Sequence, residues 1–194
     1  NHQCLDVFNS KKYSLLRALY MNKVHIILMV AMLSLLSACQ PPPSGESAGL
    51  AYPYLYYQLQ QQKLSETLAV PVEGVKPRQI ADTWGGARSE GRKHQGVDIF
   101  AIRGTPVLSS TQGIVSQVGL DRLGGKVVWV IGPALSRHYY AHLDEYSNQI
   151  QEGDWVEVGQ VLGYVGNTGN AQNTPPHLHY GIYLQGSGAT NPYP

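Results

Sequence analysis

Short apolar runs alternate with turn residues from Val75 onward, at intervals of roughly ten residues. The runs are rich in valine, isoleucine and tyrosine, and glycine, proline and asparagine separate them. No segment there carries the period of an amphipathic helix. The pattern predicts an all-β protein built on an antiparallel sheet. Its eight predicted strands are 97–101, 106–109, 113–118, 126–131, 138–143, 155–158, 161–165 and 177–184.

A second pattern, near the N-terminus, predicts an export signal. Met21 begins a short basic segment, an uncharged apolar stretch follows over residues 26–36, and small residues precede Cys39. These three features are typical of a secretory signal peptide. A transmembrane anchor is the alternative interpretation. The apolar segment 24–39 has 16 residues, however, which is fewer than the ~20 that span the hydrocarbon of a bilayer.

The tetrapeptide Leu-Ser-Ala-Cys at 36–39 looks like a bacterial lipobox. It implies cleavage before Cys39 and attachment of a lipid to the Cys39 sulfur. We therefore expect residues 1–38 to be an upstream extension plus a lipoprotein signal peptide that is removed. Residues 39–74 are then a lipidated tether, and 75–194 the functional domain. Gln40 follows the cysteine, which by resemblance to enteric lipoproteins predicts an exported envelope protein on the outer membrane, facing the periplasm, if the organism has one.

The predicted tether has two parts of different composition. Residues 41–49 are rich in proline, serine and glycine, a composition that cannot bury a core and is typical of extended linkers. Residues 51–68 are rich in tyrosine and glutamine without a clean helical or strand period. Two interpretations of this second part remain open, a short helix packed on the domain and a mobile arm.

The charge of the chain argues against a nucleic-acid binder, and its cysteine content argues against an intramolecular disulfide. The chain has 194 residues and a formal net charge of +1, and after Cys39 it carries 10 basic and 12 acidic side chains. We expect no nucleic-acid partner, because no basic stripe is available to neutralise phosphates. The second cysteine, Cys4, precedes the predicted cleavage point. We therefore expect no intramolecular disulfide in the processed chain.

Five of the seven histidines lie in the predicted domain, and two of them flank Leu178. The run around His177 and His179 has aromatic and β-branched character, which favours a strand. On a strand, residues two apart share a face, so both imidazoles point to one side while Leu178 points to the other. One imidazole of such a pair can bind a metal while its neighbour works beside it.

His94 precedes Asp98 by four residues, across a glycine and into the predicted strand 97–101. An imidazole and a carboxylate at this spacing can form a simple surface pair. Together with a second histidine they make up a set of zinc ligands that leaves one position open for water, which is the arrangement that catalytic zinc needs. A structural thiolate site is excluded, because the predicted domain has no cysteine.

His138 and His142 are four residues apart. This spacing fits one helical turn of a His-Glu-x-x-His zinc motif, but the glutamate is missing and the intervening Tyr-Tyr-Ala favours a strand. On a regular strand the two histidines would share a face about 13 Å apart, at ~3.3 Å per residue, and could not bind one metal. We therefore predict that His142 is a site residue and that His138 is structural or peripheral.

Three motifs in order, His94-x-x-x-Asp98, Tyr140-Ala141-His142-Leu143 and His177-Leu178-His179, resemble the signature of the lysostaphin-like or LytM-type zinc metallopeptidases. These are murein endopeptidases, which cut peptide cross-links in bacterial cell walls. The similarity covers about residues 75–194 and includes Gly-Thr-Pro-Val at 104–107. It implies an antiparallel β-sheet sandwich of the duplicated-hybrid-motif type.

The resemblance also implies the site and the partners. It assigns two groups of residues: the ligands of one Zn²⁺ per chain, His94, Asp98 and His179, and the catalytic pair, His142 and His177. Which member of the pair is the general base stays open. The implied substrate is the stem peptides of peptidoglycan. The implied form is a monomer bound to a membrane through the lipid on Cys39.

Three alternatives remain. The first is a catalytically inactive relative that binds peptidoglycan and activates a cell-wall amidase; such relatives have lost ligand residues, whereas all five polar positions are present here. The second is a carrier domain of similar β architecture, such as a phosphohistidine or lipoyl carrier, which needs neither the His-x-x-x-Asp motif nor export as a lipoprotein. The third concerns the bond. D-alanyl-diaminopimelate cross-links are expected for an exported lipoprotein without a separate wall-binding module, and glycine bridges are the alternative.

Overall fold

The computed structural model describes residues 48–88 and 91–193. These residues fall within the second of two compact units, Gly45–Pro194. The predicted signal peptide, the predicted lipidation residue Cys39 and the start of the tether lie outside the described residues. Within the described ranges, no helix is long and apolar enough to cross a membrane.

The strands form one antiparallel network. The described residues contain nine of them: β1 Val97–Phe100, β2 Pro106–Leu108, β3 Gly113–Asp121, β4 Gly125–Ile131, β5 Arg137–Tyr146, β6 Trp155–Val156, β7 Val161–Val165, β8 His177–Leu184 and β9 Gly188–Thr190. The order is β1-β8-β5-β4-β3-β6, β9 pairs with β8, and β7 joins β2 to β5. All pairings are antiparallel. The predicted all-β antiparallel fold is confirmed, although the three-residue β9 is too short to show alternation and was not predicted.

One α-helix, α1, spans Ala48–Gln61, and three short 3-10 helices span Pro77–Gln79, Pro133–Leu135 and Gly169–Ala171. Leu55 and Leu59 are four residues apart and therefore share a face of α1. This face packs against Ile114 and Leu135, with Leu59 fully buried. Of the two interpretations for the tyrosine- and glutamine-rich segment, the structure contains the helix.

The central strands β1, β8, β5 and β4 have two chemically different faces. The face that we call the core face buries aliphatic and aromatic side chains, among them Val97, Ile99, Val128, Val130, Tyr140, Leu178, Tyr180 and Ile182. The opposite face, which we call the open face, carries Asp98, Trp129, Tyr139, His177 and His179, which line a surface cleft. The period-two alternation of strands produces this division, and it places His177 and His179 together, opposite Leu178, as predicted.

A bulge in β5 moves His142 from one face to the other. Tyr140 pairs with Val128, but Leu143 pairs with Lys126, so β5 has one extra residue between these pairs. His142 has a φ of +64°, in the left-handed region, and its ring packs edge-on against that of His177 on the open face, 5.1 Å away. Such bulges re-aim a side chain. The expectation that His138 and His142 share a face is therefore wrong, because it assumed a regular strand.

Candidate active site

Three candidate ligand atoms converge where β1, β8 and the preceding loop meet. His94 Nε2 lies 3.0 Å from Asp98 Oδ1 and 2.8 Å from His179 Nδ1. His179 Nδ1 lies 3.1 Å from Asp98 Oδ1. Two ligands about 2.0 to 2.1 Å from one tetrahedral zinc are separated by roughly 3.3 Å. The three atoms are therefore spaced as ligands of one small cation, and no other group of His, Cys, Asp and Glu in the described chain meets this condition.

Strand pairing and one threonine fix the three ligands. Asp98 and His179 are directly paired across β1 and β8, so their side chains leave the sheet side by side. Thr83 links His94 to Asp98. Its carbonyl accepts a hydrogen bond from His94 Nδ1 (2.7 Å), and its hydroxyl accepts one from Asp98 N (3.0 Å). Backbone bonds between Gly85 and His94 and between His94 and Gly86 complete the loop.

The protons around these atoms favour a cation between them. A carbonyl can only accept, so the hydrogen bond to Thr83 places the proton of neutral His94 on Nδ1 and leaves a lone pair on Nε2. That lone pair is directed at Asp98 Oδ1 and His179 Nδ1, and at most one proton, on His179, is available to the three atoms. Two imidazole nitrogens and a carboxylate oxygen are also the donor types that zinc prefers. The residues present fit a bound zinc ion.

Asp98 is ionised under all physiological conditions. Its burial opposes ionisation, but the hydrogen bonds to His179 and His94 outweigh burial and hold the pKa of the carboxyl well below its usual range. Arg88 Nη2 donates to the second oxygen, Oδ2, at 2.5 Å. One carboxylate oxygen thus faces the two histidines and the other faces a guanidinium, which fixes the orientation of the carboxylate.

The predicted catalytic histidines stand beside this cluster and share one hydrogen-bonding arrangement. His142 Nδ1 donates to the Thr168 carbonyl at 2.9 Å, and His177 Nδ1 donates to the Pro175 carbonyl at 2.8 Å. Each neutral ring therefore keeps a lone pair on Nε2, and His177 Nε2 lies 3.9 Å from Asp98 Oδ1. Burial, followed by the neighbouring His179 and His177, lowers the pKa of His142 to about 4. At neutral pH His142 is an uncharged proton acceptor.

Gly96 allows the ligand loop to approach β8. A Cβ atom at this position would lie 2.5 Å from the Tyr180 carbonyl oxygen and 2.8 Å from the His179 ring. Any side chain at residue 96 would therefore displace either the strand or the ligand. The glycine stands midway between His94 and Asp98 in the sequence.

The cluster opens into a cleft of about 870 Å³ whose two walls differ. One wall carries Arg88, Arg92 and Lys93, which we call the basic arm. The other carries an aromatic group: Trp129 contacts Tyr139 and Tyr183 at ring separations of 4.4 and 5.4 Å. Cationic side chains, an aromatic group and the candidate site histidines therefore line one cleft.

The remaining histidine of the β5 motif belongs to a different network. His138 is buried on the core face, where its Nδ1 lies 2.8 Å from Tyr180 Oη and its Nε2 lies 3.0 Å from Ser136 Oγ. Ser110 Oγ lies 2.5 Å from Tyr180 Oη and 2.9 Å from Tyr140 Oη. The chain of donors ends when Ser136 donates to the Pro133 carbonyl at 2.8 Å. We call this set the core-face relay, and it accounts for His138 as a structural residue.

The structure thus brings all five predicted site residues together: His94, Asp98, His142, His177 and His179. Sequence reasoning missed the groups that orient them, which are the carbonyls of Thr83, Thr168 and Pro175 and the side chain of Arg88. The carbonyls leave no trace in a sequence. A basic residue six positions before His94 was the only available signal for Arg88.

Comparison with known proteins identifies relatives of this domain. The family model described as "Peptidase family M23" matches residues 92–192. The L-Ala--D-Glu endopeptidase of Bacillus subtilis is 43% identical over 123 residues, 58% of this chain and 37% of that protein. Lysostaphin of Staphylococcus simulans is 36% identical over 92 residues, 46% of this chain and 18% of that protein. The DD-carboxypeptidase/endopeptidase Mpg of Neisseria meningitidis is 35% identical over 113 residues, 58% of this chain and 24% of that protein.

Solved structures agree with these matches. The catalytic domain of the antimicrobial peptidase lysostaphin from Staphylococcus simulans is 28% identical, with a TM-score of 0.53, over 70% of this chain and 92% of that one. Csd3 from Helicobacter pylori is 31% identical, with a TM-score of 0.54, over 69% of this chain and 36% of that one. These likenesses confirm the fold type that the sequence motifs implied. The chain matches between 18% and 37% of the length of the three curated relatives described above.

Proposed function

The chain belongs to peptidase family M23, and from this premise we propose that it is a zinc-dependent endopeptidase that hydrolyses peptide cross-links in bacterial peptidoglycan. The observation that carries the proposal is the convergence of His94 Nε2, Asp98 Oδ1 and His179 Nδ1 beside two histidines with free Nε2 lone pairs. A ligand cluster alone fits a structural metal. A ligand cluster with two adjacent proton acceptors and an open cleft fits a hydrolase.

His94, Asp98 and His179 would hold the zinc ion. When bound, it would supply Lewis-acid polarisation of the scissile carbonyl. The buried Asp98 carboxylate offsets part of the charge of the cation, and Arg88 holds that carboxylate in place. Because Thr83 fixes the tautomer of His94, the ligand nitrogen is available without rearrangement.

His142 and His177 would handle the proton. Each ring is oriented by a backbone carbonyl that accepts a hydrogen bond from Nδ1, which leaves Nε2 for the substrate. One ring accepts a proton from the attacking water, and the resulting imidazolium can pass it to the leaving amine. The other ring lies close enough, with ring centroids 5.1 Å apart, to contact the same substrate carbonyl. Comparing the kinetics of His142 and His177 variants distinguishes the two roles.

The substrate proposed is the stem peptide of peptidoglycan. The relatives are named for three kinds of bond in or between these peptides: L-Ala–D-Glu, glycyl-glycine and bonds between D-residues. D-alanyl-diaminopimelate cross-links fit an exported lipoprotein, as the sequence leads us to expect. The proposed form is a monomer, because one chain supplies all three candidate ligands and the site requires no residue from a second copy.

We further propose that the processed protein is a lipoprotein of the cell envelope, anchored through Cys39 and, in a Gram-negative organism, to the outer membrane facing the periplasm. The lipobox-like tetrapeptide supports this proposal. Mass spectrometry of the N-terminal peptide from cells should show an acylated Cys39, and Cys39→Ser should move the protein to the soluble fraction. A mature N-terminus upstream of residue 39 would contradict it.

Digestion of purified sacculi tests the function. The zinc-loaded protein should contain one zinc per chain by metal analysis and release soluble muropeptides, whose masses identify the cleaved bond. The competing function, an inactive activator of an amidase, predicts no release by the protein alone and increased release by the amidase. Five intact polar positions and relatives named as peptidases support the enzyme. A correctly folded protein that takes up no zinc would end the hydrolase proposal.

A further inference from the structure

The basic arm concentrates positive charge where peptide hydrolysis alone does not require it. Arg88, Arg92 and Lys93 line the cleft next to the metal ligands. Backbone hydrogen bonds from Arg88 to Arg92 (2.9 Å) and from His94 to Gly86 (2.8 Å) hold the arm in place. The sequence after Cys39 carries more acidic than basic side chains. The charge of the arm is therefore local and is not a property of the whole domain.

Two residues of the arm are able to receive an anion. Lys93 is exposed, and its ammonium has no hydrogen-bond or ion-pair partner among residues 48–88 and 91–193. Arg88 donates Nη2 to Asp98, while its side chain remains 40% exposed. A guanidinium has five N–H donors, so the bond to Asp98 leaves others for a ligand. Arg88 thus contacts a candidate metal ligand and can reach the cleft at the same time.

The described acidic side chains that line the cleft are already engaged by other groups. Asp98 is bound by His94, His179 and Arg88. Asp121, beside the aromatic wall, accepts hydrogen bonds from the backbone amides of Leu123 and Gly124 at 2.7 and 2.5 Å. Within the described residues, neither carboxylate forms an ion pair with the Lys93 ammonium. A negatively charged substrate group can form that pair.

The chemistry of stem peptides supplies such a group next to the scissile bond. D-Glutamate is linked onward through its γ-carboxyl, and the cross-linking centre of diaminopimelate is linked through its nitrogen only. Each therefore keeps a free carboxylate on the carbon that bears the scissile nitrogen. Its carboxyl carbon is two bonds, about 2.5 Å, from that nitrogen. Within a glycine bridge the corresponding carboxyl is consumed in the next peptide bond and carries no charge.

We propose that the basic arm is a subsite for a free α-carboxylate on the residue that contributes the scissile nitrogen, with Lys93 and Arg88 as its direct contacts. The inference rests on the proposed hydrolase function and narrows its substrates to stem peptides with this carboxylate, as opposed to glycine bridges. Charge-assisted hydrogen bonds across a partly exposed site give a preference of about 10- to 100-fold in kcat/KM.

The test compares substrates that differ in one group. The zinc-loaded full chain is assayed on two acid and amide pairs. One is a D-alanyl-diaminopimelate dimer whose carboxyl next to the scissile nitrogen is free or amidated, and the other is an L-Ala-γ-D-Glu peptide as the free acid or the D-isoglutamine amide. Pentaglycine is the third substrate. Of the acid and amide pair that it cleaves, the wild type should cleave the free acid with a kcat/KM about 10- to 100-fold higher. Lys93→Ala should reduce that preference to about threefold or less, mainly by slowing cleavage of the acid.

Lys63→Ala is the matched control, because Lys63 is exposed, lies outside the cleft and carries the same charge. It should retain the wild-type preference. Binding of the acid and amide peptides to the zinc-free protein, measured by calorimetry, supplies a second readout without hydrolysis. Equal cleavage of acid and amide, a pentaglycine rate equal to the best acid, or equal losses in both Lys variants would overturn the subsite and leave the hydrolase proposal standing. Acid-selective binding that depends on Lys93, without any cleavage, would support the subsite and refute the hydrolase.

Discussion

Histidines lie on both faces of the layer formed by strands β5 and β8, and those on one face differ from those on the other in their hydrogen-bond partners. On the core face, His138 bonds through both ring nitrogens to hydroxyl groups, and the core-face relay ends at a backbone carbonyl. On the open face, His142 and His177 each bond a carbonyl through Nδ1 and leave Nε2 uncommitted. Burial alone does not separate the two groups, because all three rings are at least nine-tenths buried.

A structural histidine and a chemically available one differ in whether the second ring nitrogen has a partner. A ring with two side-chain partners has both nitrogens engaged in hydrogen bonds within the fold. A ring with one backbone partner has its tautomer fixed and its second nitrogen available.

The largest effect is expected from His179→Ala on the open face. This change removes one of three candidate ligands, so zinc content should fall to near zero and hydrolysis to background. Metal analysis after dialysis, together with sacculus digestion, measures both quantities. Tyr180→Phe, the next residue but on the core face, is the control and should keep its zinc. Full zinc occupancy in His179→Ala would place the ligand elsewhere.

His142→Asn should separate chemistry from metal binding. Asparagine tolerates the left-handed backbone that residue 142 adopts, with φ at +64°, so it removes the imidazole with less strain than alanine would cause. We expect zinc to remain bound and kcat to fall by about 10²- to 10⁴-fold, the usual contribution of a general acid or base. Cleavage at the parental rate would show that His142 has no catalytic role.

His138 should make stability depend on pH. Burial lowers its pKa from 6.5 to about 4. Between pH 4 and pH 6.5, His138 therefore binds a proton in the unfolded chain but not in the native state. Stability should therefore fall as pH drops from 6.5 to 4, by up to roughly 3 kcal/mol. Urea unfolding of zinc-free protein at pH 7 and pH 4.5 measures the loss. His138→Phe should lose less stability over this range; parallel losses in both proteins would contradict the assignment.

The smallest effect is expected from Ser110→Ala, within the core-face relay. The change leaves the hydroxyls of Tyr140 and Tyr180 short of one partner each, and should lower the free energy of unfolding by about 1 to 3 kcal/mol. Zinc content and kcat should stay within about twofold of wild type, because Ser110 lies on the face opposite the ligands. Loss of zinc in this variant would mean that the two faces are coupled.

Strand positions could be predicted from the sequence because alternation and turn residues are local properties. The shared face of His177 and His179 followed from the same alternation. The face of His142 could not be predicted, since its bulge adds one residue without a glycine to mark it. The shift becomes visible only when β5 is paired with β4. Position along the chain therefore predicted the strands and the shared face of His177 and His179, but not the face of His142.

The site could be predicted only as far as side chains define it. Ligand types and spacing pointed to His94, Asp98 and a histidine of the 177–179 motif, and the family resemblance selected His179. Orientation depends on carbonyl oxygens, which every residue has, and on a contact between Arg88 and Asp98 across ten residues. A charged residue at that distance is indistinguishable in sequence from a solvated one.

Gly96 has a consequence for recognising such domains in genome sequences. Because the backbone of β8 occupies the space where its Cβ would be, a chain with His and Asp four apart but a bulky middle residue cannot close this site in the same way. A search pattern that requires His-x-Gly-x-Asp should therefore reject chains that contain the two ligand residues but cannot form the site. The glycine would then help to separate true members from chance matches.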